Sequence, residues 1–384
     1  MSVRLPAAPA DVAPRLSAAS VVRRDLDYIC AGLVDEFARL AGKRLLITGG
    51  AGFLGHYLVQ AVLHWNRTLG KPRPIELTVY DSFVRGVPGW LTSLQGYADF
   101  ALVQHDMTAP LPADIGDFQY VIHAAGIASP TYYRKYPIET MDANVTGLRA
   151  LLEYARRRPR SARPVEGFLF FSSSEIYGDP TPDNIPTPET YRGNVSCTGP
   201  RACYDEAKRY GETLCVNFAQ QAGVPVKVAR PFNNYGPGLK ITDRRVLPDF
   251  ARDVLAGRDI VMLSDGSPKR TFCYVADAVM GYYKILVRGR PAEAYNIGVG
   301  DPEISIVELA ELIVTEAREL FGYGGRVVRQ ASADASYLLD NPTRRCPVIA
   351  KARTELGYNP TVTLREGLRR SLTWYAEHQH AVDA

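Results

Sequence analysis

The chain has 384 residues, 46% hydrophobic and 22% charged, values that exclude a disordered or fibrous protein. That length suggests two domains, or one large domain with a smaller appendage, and a core big enough to need no disulfide or metal staple. The net charge of +4 is small, and no basic stripe interleaved with aromatics runs along the sequence, so nucleic acid is not indicated. Residues through Ser20 are rich in Ala and Pro and read as a loose tail without the apolar h-region of a signal peptide. Between 21 and 40, Leu26, Ile29, Leu33 and Phe37 recur at spacings of three and four. This is the stripe of a helix that packs on the body, with a partner-binding helix as the alternative. Residues 1–40 are thus an N-terminal extension carrying a helix.

From Lys43 the texture changes. Leu45-Leu46-Ile47 is a short apolar strand, then come Thr48-Gly49-Gly50-Ala51-Gly52-Phe53-Leu54-Gly55 and an apolar helix through Leu58, Val59 and Val62. Further strands are expected at Glu76–Asp81, Ala101–Asp106, Tyr120–Ala125, Gly167–Phe171 and Pro225–Arg230, most of them separated by helical segments. Buried parallel strands alternating with helices make an α/β fold, a Rossmann-type doubly wound parallel sheet. We place this domain at 41–235, with a segment near 270–298 returning to it. Residues 236–384 are mainly a smaller mixed α/β lobe for substrate. The basic run Arg156-Arg157-Arg158-Pro159-Arg160 reads as cations at a helix C-terminus, with an anion-binding patch as the alternative. No run of 18 apolar residues marks a membrane span. The six cysteines lack metal-type spacing and the histidines form no HExxH cluster. Reduced thiols in a cytoplasmic protein, and no metal site, follow.

Gly49, Gly52 and Gly55 stand directly between a strand and a helix. The first glycine permits the tight turn, the second lets backbone approach a pyrophosphate, and the third allows close helix–strand packing. The helix N-terminus, beginning at Phe53 and Leu54, offers free N–H groups to the phosphates. Asp81 ends the second strand about 26 residues past Gly55, where a carboxylate accepts the ribose hydroxyls of NAD and repels the extra phosphate of NADP. Arg85 nearby could soften that repulsion. Asp106 is a candidate partner for the adenine amino group, with a solvated strand-end carboxylate as the alternative. Tyr204 and Lys208, one helical turn apart, share a face. A positive charge at about 4–6 Å, at an effective dielectric near 20, contributes about 3–4 kcal/mol, enough to draw a phenol from about 10 towards neutrality. Ser172-Ser173-Ser174-Glu175 follows the fifth strand, where hydroxyls point into the ligand crevice. Ser173 can share the proton of Tyr204, and Glu175 is a second acid or base.

Longer segments carry more. Ser172–Pro180 (SSSEIYGDP), Gly193-Asn194-Val195 and above all Gly199-Pro200-Arg201-Ala202-Cys203-Tyr204-Asp205-Glu206 are joined by Phe232-Asn233, Arg245-Val246 and Arg270-Thr271-Phe272 before Tyr274-Val275. On these, the chain from about Lys43 to about Tyr375 resembles the extended short-chain dehydrogenases that act on sugar nucleotides. Within them it most resembles the UDP-glucuronate decarboxylases, or UDP-xylose synthases. The resemblance implies NAD as cofactor and a UDP-linked sugar as substrate. It implies Tyr204 as base with Lys208 as its partner, Ser173 as the catalytic Ser/Thr, and Ser174 and Glu175 near the C5 carboxylate. It further implies Arg270 on the uronate, and Asn233 and Arg245 on the nucleotide diphosphate. C4 would be oxidised, the 4-ketone would let the C5 carboxylate leave, Glu175 or a water would protonate C5, and hydride would return. Sibling reactions through the same ketone (4,6-dehydration, C4 epimerisation, apiose-type ring contraction) are the runner-up, and a regulator without catalysis is a further alternative. The helices around Ile138–Tyr154 and Cys203–Gln220 would pair in a homodimer. Departures from the family pattern at His123–Pro130, Gly236–Leu239 and Val348 bear on the sugar and base, not on the oxidation.

Overall fold

A computed structural model describes residues 16–157, 163–330 and 342–378. The tail expected through Ser20 lies outside the described residues up to 15. It ends earlier than expected, because Ser17 caps a helix by accepting from the Ser20 N–H. That helix, α1 (Ala18–Gly32), and the short α2 (Val34–Leu40) replace the single helix read at 21–40; the break falls at Leu33, whose ψ of 21° leaves helical geometry. Ile29, Leu33 and Phe37 are fully buried in the main core, so the stripe packs on the body.

The central sheet has seven strands: β1 (Arg44–Thr48), β2 (Glu76–Asp81), β3 (Phe100–Gln104), β4 (Tyr120–His123), β5 (Gly167–Phe171), β6 (Val226–Pro231) and β7 (Ala294–Ile297). Their spatial order is β7-β6-β5-β4-β1-β2-β3 and every pairing is parallel. Leu45, Leu46, Ile47, Val121, Ile122, Phe168 and Leu169 are fully buried, as central strands covered on two faces require. The six strands read in the sequence are all present. The seventh, Ala-Tyr-Asn-Ile, is short and carries a buried Asn296 that bonds Thr187 and Val348 carbonyls, which hides it from an apolar-run reading. It is reached through helix Val275–Arg288, the segment expected to return to the sheet.

Four more helices matter below: α3 (Phe53–Arg67), α4 (Pro137–Arg157), α5 (Ala202–Ala222) and, at the end, Leu364–His378. Arg156 and Arg157 close α4, and Arg156 Nη2 pairs with Glu153 at 2.6 Å; the rest of that basic run, through Arg160, lies outside the described residues. Among the described residues no helix is long and apolar enough to cross a membrane, and no group of three or more His, Cys, Asp or Glu could hold a metal.

The N-terminal helices are tied in by Asp25, which is fully buried. Its Oδ2 accepts from the hydroxyls of Tyr57 and Tyr274, each at 2.5 Å, and its Oδ1 from Arg370 Nη1 at 2.6 Å. One carboxylate thus joins α1 to the cofactor-side helix α3, to the return segment and to the last helix. Removing it leaves the buried Arg370 with Glu366 as its remaining carboxylate and takes the acceptor from two buried tyrosine hydroxyls. Asp25→Ala should cost about 3–5 kcal/mol of stability in a denaturant titration, and a loss below about 1 kcal/mol would be the value of an ordinary exposed pair.

Candidate active site

The strand order turns back at β1 and β4, and the crevice beyond their C-terminal ends is where ligands bind in such sheets. A cleft of about 980 Å³ opens there, lined by the glycine loop, Asp81, the loop after β4, Ser172–Glu175, Tyr204, Lys208, and Asn233, Arg245, Arg270 and Arg345 from the later chain. Gly49 has φ +76°, and a Cβ on it would stand 2.6 Å from Ala125 N, where the loop after β4 passes. A Cβ on Gly55 would meet the Gly50 carbonyl oxygen at 2.2 Å, which fixes how closely α3 approaches β1. Gly52 is the N-cap of α3 and makes no side-chain cap, so the helix presents backbone N–H groups without a competing side chain. The arrangement fits a dinucleotide pyrophosphate.

Asp81 holds this loop. Its Oδ2 accepts from Ala51 N and its Oδ1 from Phe83 N, each at 2.9 Å. Burial pushes its carboxyl up, and the two N–H donors pull it back. Arg85 does not sit on Asp81: its Nη1 pairs with Asp243 at 3.0 Å and its guanidinium lies over Tyr132. The repulsion of a 2′-phosphate by Asp81 is therefore not softened, which fits NAD. Asp106 is exposed at the rim of the cleft, its Oδ1 accepting from Thr108 N and Oγ1, each at 2.9 Å.

Tyr204 and Lys208 come together as the spacing predicts, both buried. The Ser173 hydroxyl acts on Tyr204, drawing its phenol down, and caps the 3-10 turn Ser174–Tyr177 by accepting from Glu175 N at 3.2 Å. Lys208 Nζ donates to the Phe171 carbonyl at 2.7 Å and lies 5.7 Å from the centre of the Tyr204 ring. The electrostatics correct the expectation of a phenol drawn towards neutrality. Burial pushes Tyr204 up to about 12, against the hydrogen bond from Ser173, and burial brings Lys208 down to about 7. Loss of water outweighs one ammonium whose own charge is weakened. A feature the sequence did not signal is Tyr133, stacked on Tyr204 at 5.2 Å and 12° between planes, which fixes the plane of the phenol.

Glu175 is clamped by two arginines. Arg201 Nη2 donates to its Oε2; Arg345 donates to Oε1 through Nη1 and to Oε2 through Nη2, the latter at 2.7 Å. Although burial opposes ionisation, these guanidiniums hold the carboxyl well below the usual range. Arg270, expected on the uronate, lines the cleft and donates through Nη1 to the Lys269 carbonyl at 2.8 Å and through Nη2 to that of Pro342 at 2.5 Å. Burial first, and then Arg345 beside it, push it down to about 9, against the pull of Glu175. Arg345 was not singled out from the sequence, and nothing local marks it: it arrives on a two-residue strand, Arg344–Arg345, paired in parallel with Lys269–Arg270. Arg201 lay within a recognised segment but carried no assigned role. Asn233, at φ +41°, donates to the Thr271 carbonyl at 2.9 Å, and Arg245 Nε pairs with Asp243 at 3.0 Å; both line the cleft on the substrate side. Ser174 is buried beside them.

Comparison with known proteins agrees with this geometry. The profile of the NAD dependent epimerase/dehydratase family matches residues 45–298. UDP-glucuronic acid decarboxylase 1 of Xenopus tropicalis is 37% identical over 344 residues, covering 88% of this chain and 74% of that protein. UDP-glucuronic acid decarboxylase 3 of Arabidopsis thaliana is 37% identical over 325 residues, covering 85% and 86%. Among solved structures, an epimerase from Methanothermobacter thermautotrophicus matches with a TM-score of 0.75 at 27% identity, covering 92% of this chain and 98% of that one.

Proposed function

The chain belongs to the NAD dependent epimerase/dehydratase family, and from that premise we propose that it is a UDP-glucuronate decarboxylase, forming UDP-xylose and carbon dioxide. The observation that carries the reading is the guanidinium pair of Arg201 and Arg345 on Glu175, with Arg270 behind them, set directly beside Tyr204 and Ser173. An oxidising pair needs no such charge for a neutral sugar. A hexuronate brings a carboxylate that relieves it.

Gly49, Gly52, Phe53, Leu54 and Gly55 would hold the NAD pyrophosphate, Asp81 and Asp106 the adenosine end, and Lys208 the nicotinamide ribose. When bound, NAD supplies a hydride acceptor at C4 that later returns the hydride, and a positive ring charge close to the phenol. Tyr204, as the phenolate whose charge Lys208 offsets, then takes the C4 hydroxyl proton and becomes the neutral phenol, with Ser173 sharing the proton. Arg345 and Arg201, with Ser174, orient the C5 carboxylate. The 4-ketone is beta to that carboxylate, so the C5–C6 electrons flow into the carbonyl as carbon dioxide departs. Glu175, held ionised by two guanidiniums, has no proton to give in this arrangement. Of the two donors expected, water protonates C5, and Glu175 keeps Arg201 and Arg345 in place. Arg270 anchors the strand that delivers Arg345. Asn233 and Arg245 take the nucleotide diphosphate.

We assign 41–235, with the segment 270–298, mainly to NAD, and 236–384 mainly to the nucleotide sugar. The exposed Ile138 and Met141 on α4 and Tyr210 on α5 support a homodimer through these helices. All six cysteines are free, which supports a reducing, cytoplasmic setting. The test is incubation of the NAD-loaded protein with UDP-glucuronate, followed by NMR of the sugar. The expected products are UDP-xylose and carbon dioxide. UDP-galacturonate instead would assign C4 epimerisation, and an NAD-loaded protein leaving every uronate intact would sink the proposal.

A further inference from the structure

Three successive turns of α5 are fastened to three successive residues at the end of β5. Tyr204 feels the Ser173 hydroxyl, Lys208 Nζ donates to the Phe171 carbonyl, and Glu212 Oε1 accepts from the Ser172 hydroxyl at 2.5 Å. Spacings of four keep Tyr204, Lys208 and Glu212 on one helix face. Glu212 is the rung set back from the cleft. Arg230 on β6 grips it bidentately, Nε to Oε1 at 2.9 Å and Nη2 to Oε2 at 2.5 Å. Arg230 Nη1 also donates to the Tyr177 hydroxyl at 2.7 Å, and that hydroxyl donates to Asn296 Oδ1 on β7 at 2.8 Å. The third rung is therefore anchored to β5, to β6, to β7 and to the turn that carries Glu175. Such a charge-assisted, forked contact sets direction as well as distance.

We infer that Glu212, acting through Ser172 and Arg230, is a positioning residue for the oxidation step: it sets the register of the helix bearing Tyr204 and Lys208 against the strand end bearing Ser173, and places a carboxylate one turn beyond Lys208. The inference rests on reading Tyr204 and Lys208 as the oxidising pair. Lys208 is surrounded on several sides. From its own helix come Tyr204, Glu212 and Cys215; from β4 comes His123; from β5 come the Phe170 ring and the Phe171 carbonyl; and from β6 comes Arg230, behind Glu212. Burial holds His123 neutral, down at about 3, and keeps Cys215 a thiol well above its ordinary range. Cys215 and then Glu212 oppose the burial of Lys208; with Cys215 held as a thiol, Glu212 is the anion of the two. Removing it would also bare Arg230, which pushes Lys208 the same way.

The experiment compares Ser172→Ala and Glu212→Gln with wild type as NAD-loaded protein, measuring kcat and KM for UDP-glucuronate, NAD affinity, and the titration of Lys208 by NMR of labelled lysine, its signal assigned by loss in Lys208→Arg. Misplacing a reacting group by about 1 Å costs roughly 10²-fold, so kcat should fall about tenfold in Ser172→Ala and about a hundredfold in Glu212→Gln. KM and NAD affinity should stay within about threefold, the split expected when only transition-state geometry is lost. The double variant should be no worse than Glu212→Gln alone, since the two act as one unit. Lys208 should titrate about one pH unit lower in Glu212→Gln and unchanged in Ser172→Ala. A Glu212→Gln protein with wild-type kcat and an unmoved Lys208 overturns the inference. If that variant does not fold, Ser172→Ala decides, because it leaves the Glu212–Arg230 pair intact, and an unchanged kcat overturns the register argument. If wild type turns over no UDP-glucuronate, the substrate reading has failed, and the Lys208 titration still decides this one.

Discussion

Tyr204→Phe should lower kcat for UDP-glucuronate by roughly 10²–10⁴-fold, the contribution of a positioned general base, while NAD affinity stays within about threefold of wild type. The substitution isolates one function because so little else depends on the hydroxyl. The ring keeps its stack on Tyr133, and Lys208 keeps its bond to the Phe171 carbonyl. What goes is the interaction with the Ser173 hydroxyl and the proton site itself. The folding cost should be no more than about 0.5–1.5 kcal/mol, that of an ordinary hydrogen bond. Because burial pushes the phenol up to about 12 in the ligand-free protein, the base is uncharged at neutral pH until ligands bring it down. The proton it takes in the oxidation therefore depends on the bound state, and kcat/KM should fall as the medium is made more acidic. A variant with kcat within about threefold of wild type would remove Tyr204 from the role of base.

The parts of this site visible in the sequence are those whose physics is local. Three glycines between a strand and a helix say what backbone must do there, and the observed φ of Gly49 and the missing space at Gly55 are that requirement met. Tyr204 and Lys208 four apart on a helix meet for the same reason any such pair meets. What the sequence could not show depends on burial or on distant pairing. The proton affinity of Tyr204 was misjudged because a charge can be counted from the sequence and lost hydration cannot. The anchoring of the N-terminal helices by Asp25 needed partners from residues 57, 274 and 370 at once. Arg345 is the sharpest case. Its two-residue strand has no pattern of its own, and only pairing with Lys269–Arg270 brings it to Glu175.

Arg345→Met should therefore lower kcat/KM for UDP-glucuronate by roughly 10²–10³-fold, about 3–4 kcal/mol. Affinity for UDP, which lacks the sugar carboxylate, should change by no more than about threefold. The size follows from two losses in a buried place. A charge-assisted bond to the substrate carboxylate is worth about 1.5–3 kcal/mol, and Glu175, left with Arg201 as its remaining clamp, becomes a worse neighbour for an incoming anion. Arg270→Met is the companion experiment. Arg270 spends Nη1 and Nη2 on the carbonyls of Lys269 and Pro342, so its loss should act on the strand that carries Arg345. It should lower stability together with kcat/KM. The two variants separate the readings of the pocket. If Arg345→Met stays near wild type while Arg270→Met abolishes turnover in a protein of undiminished stability, the guanidinium that meets the carboxylate is Arg270, as the family resemblance implied. If Arg345→Met loses turnover of the uronate while UDP affinity holds, then the residue delivered by pairing, not the one marked by motif, orients the group that leaves.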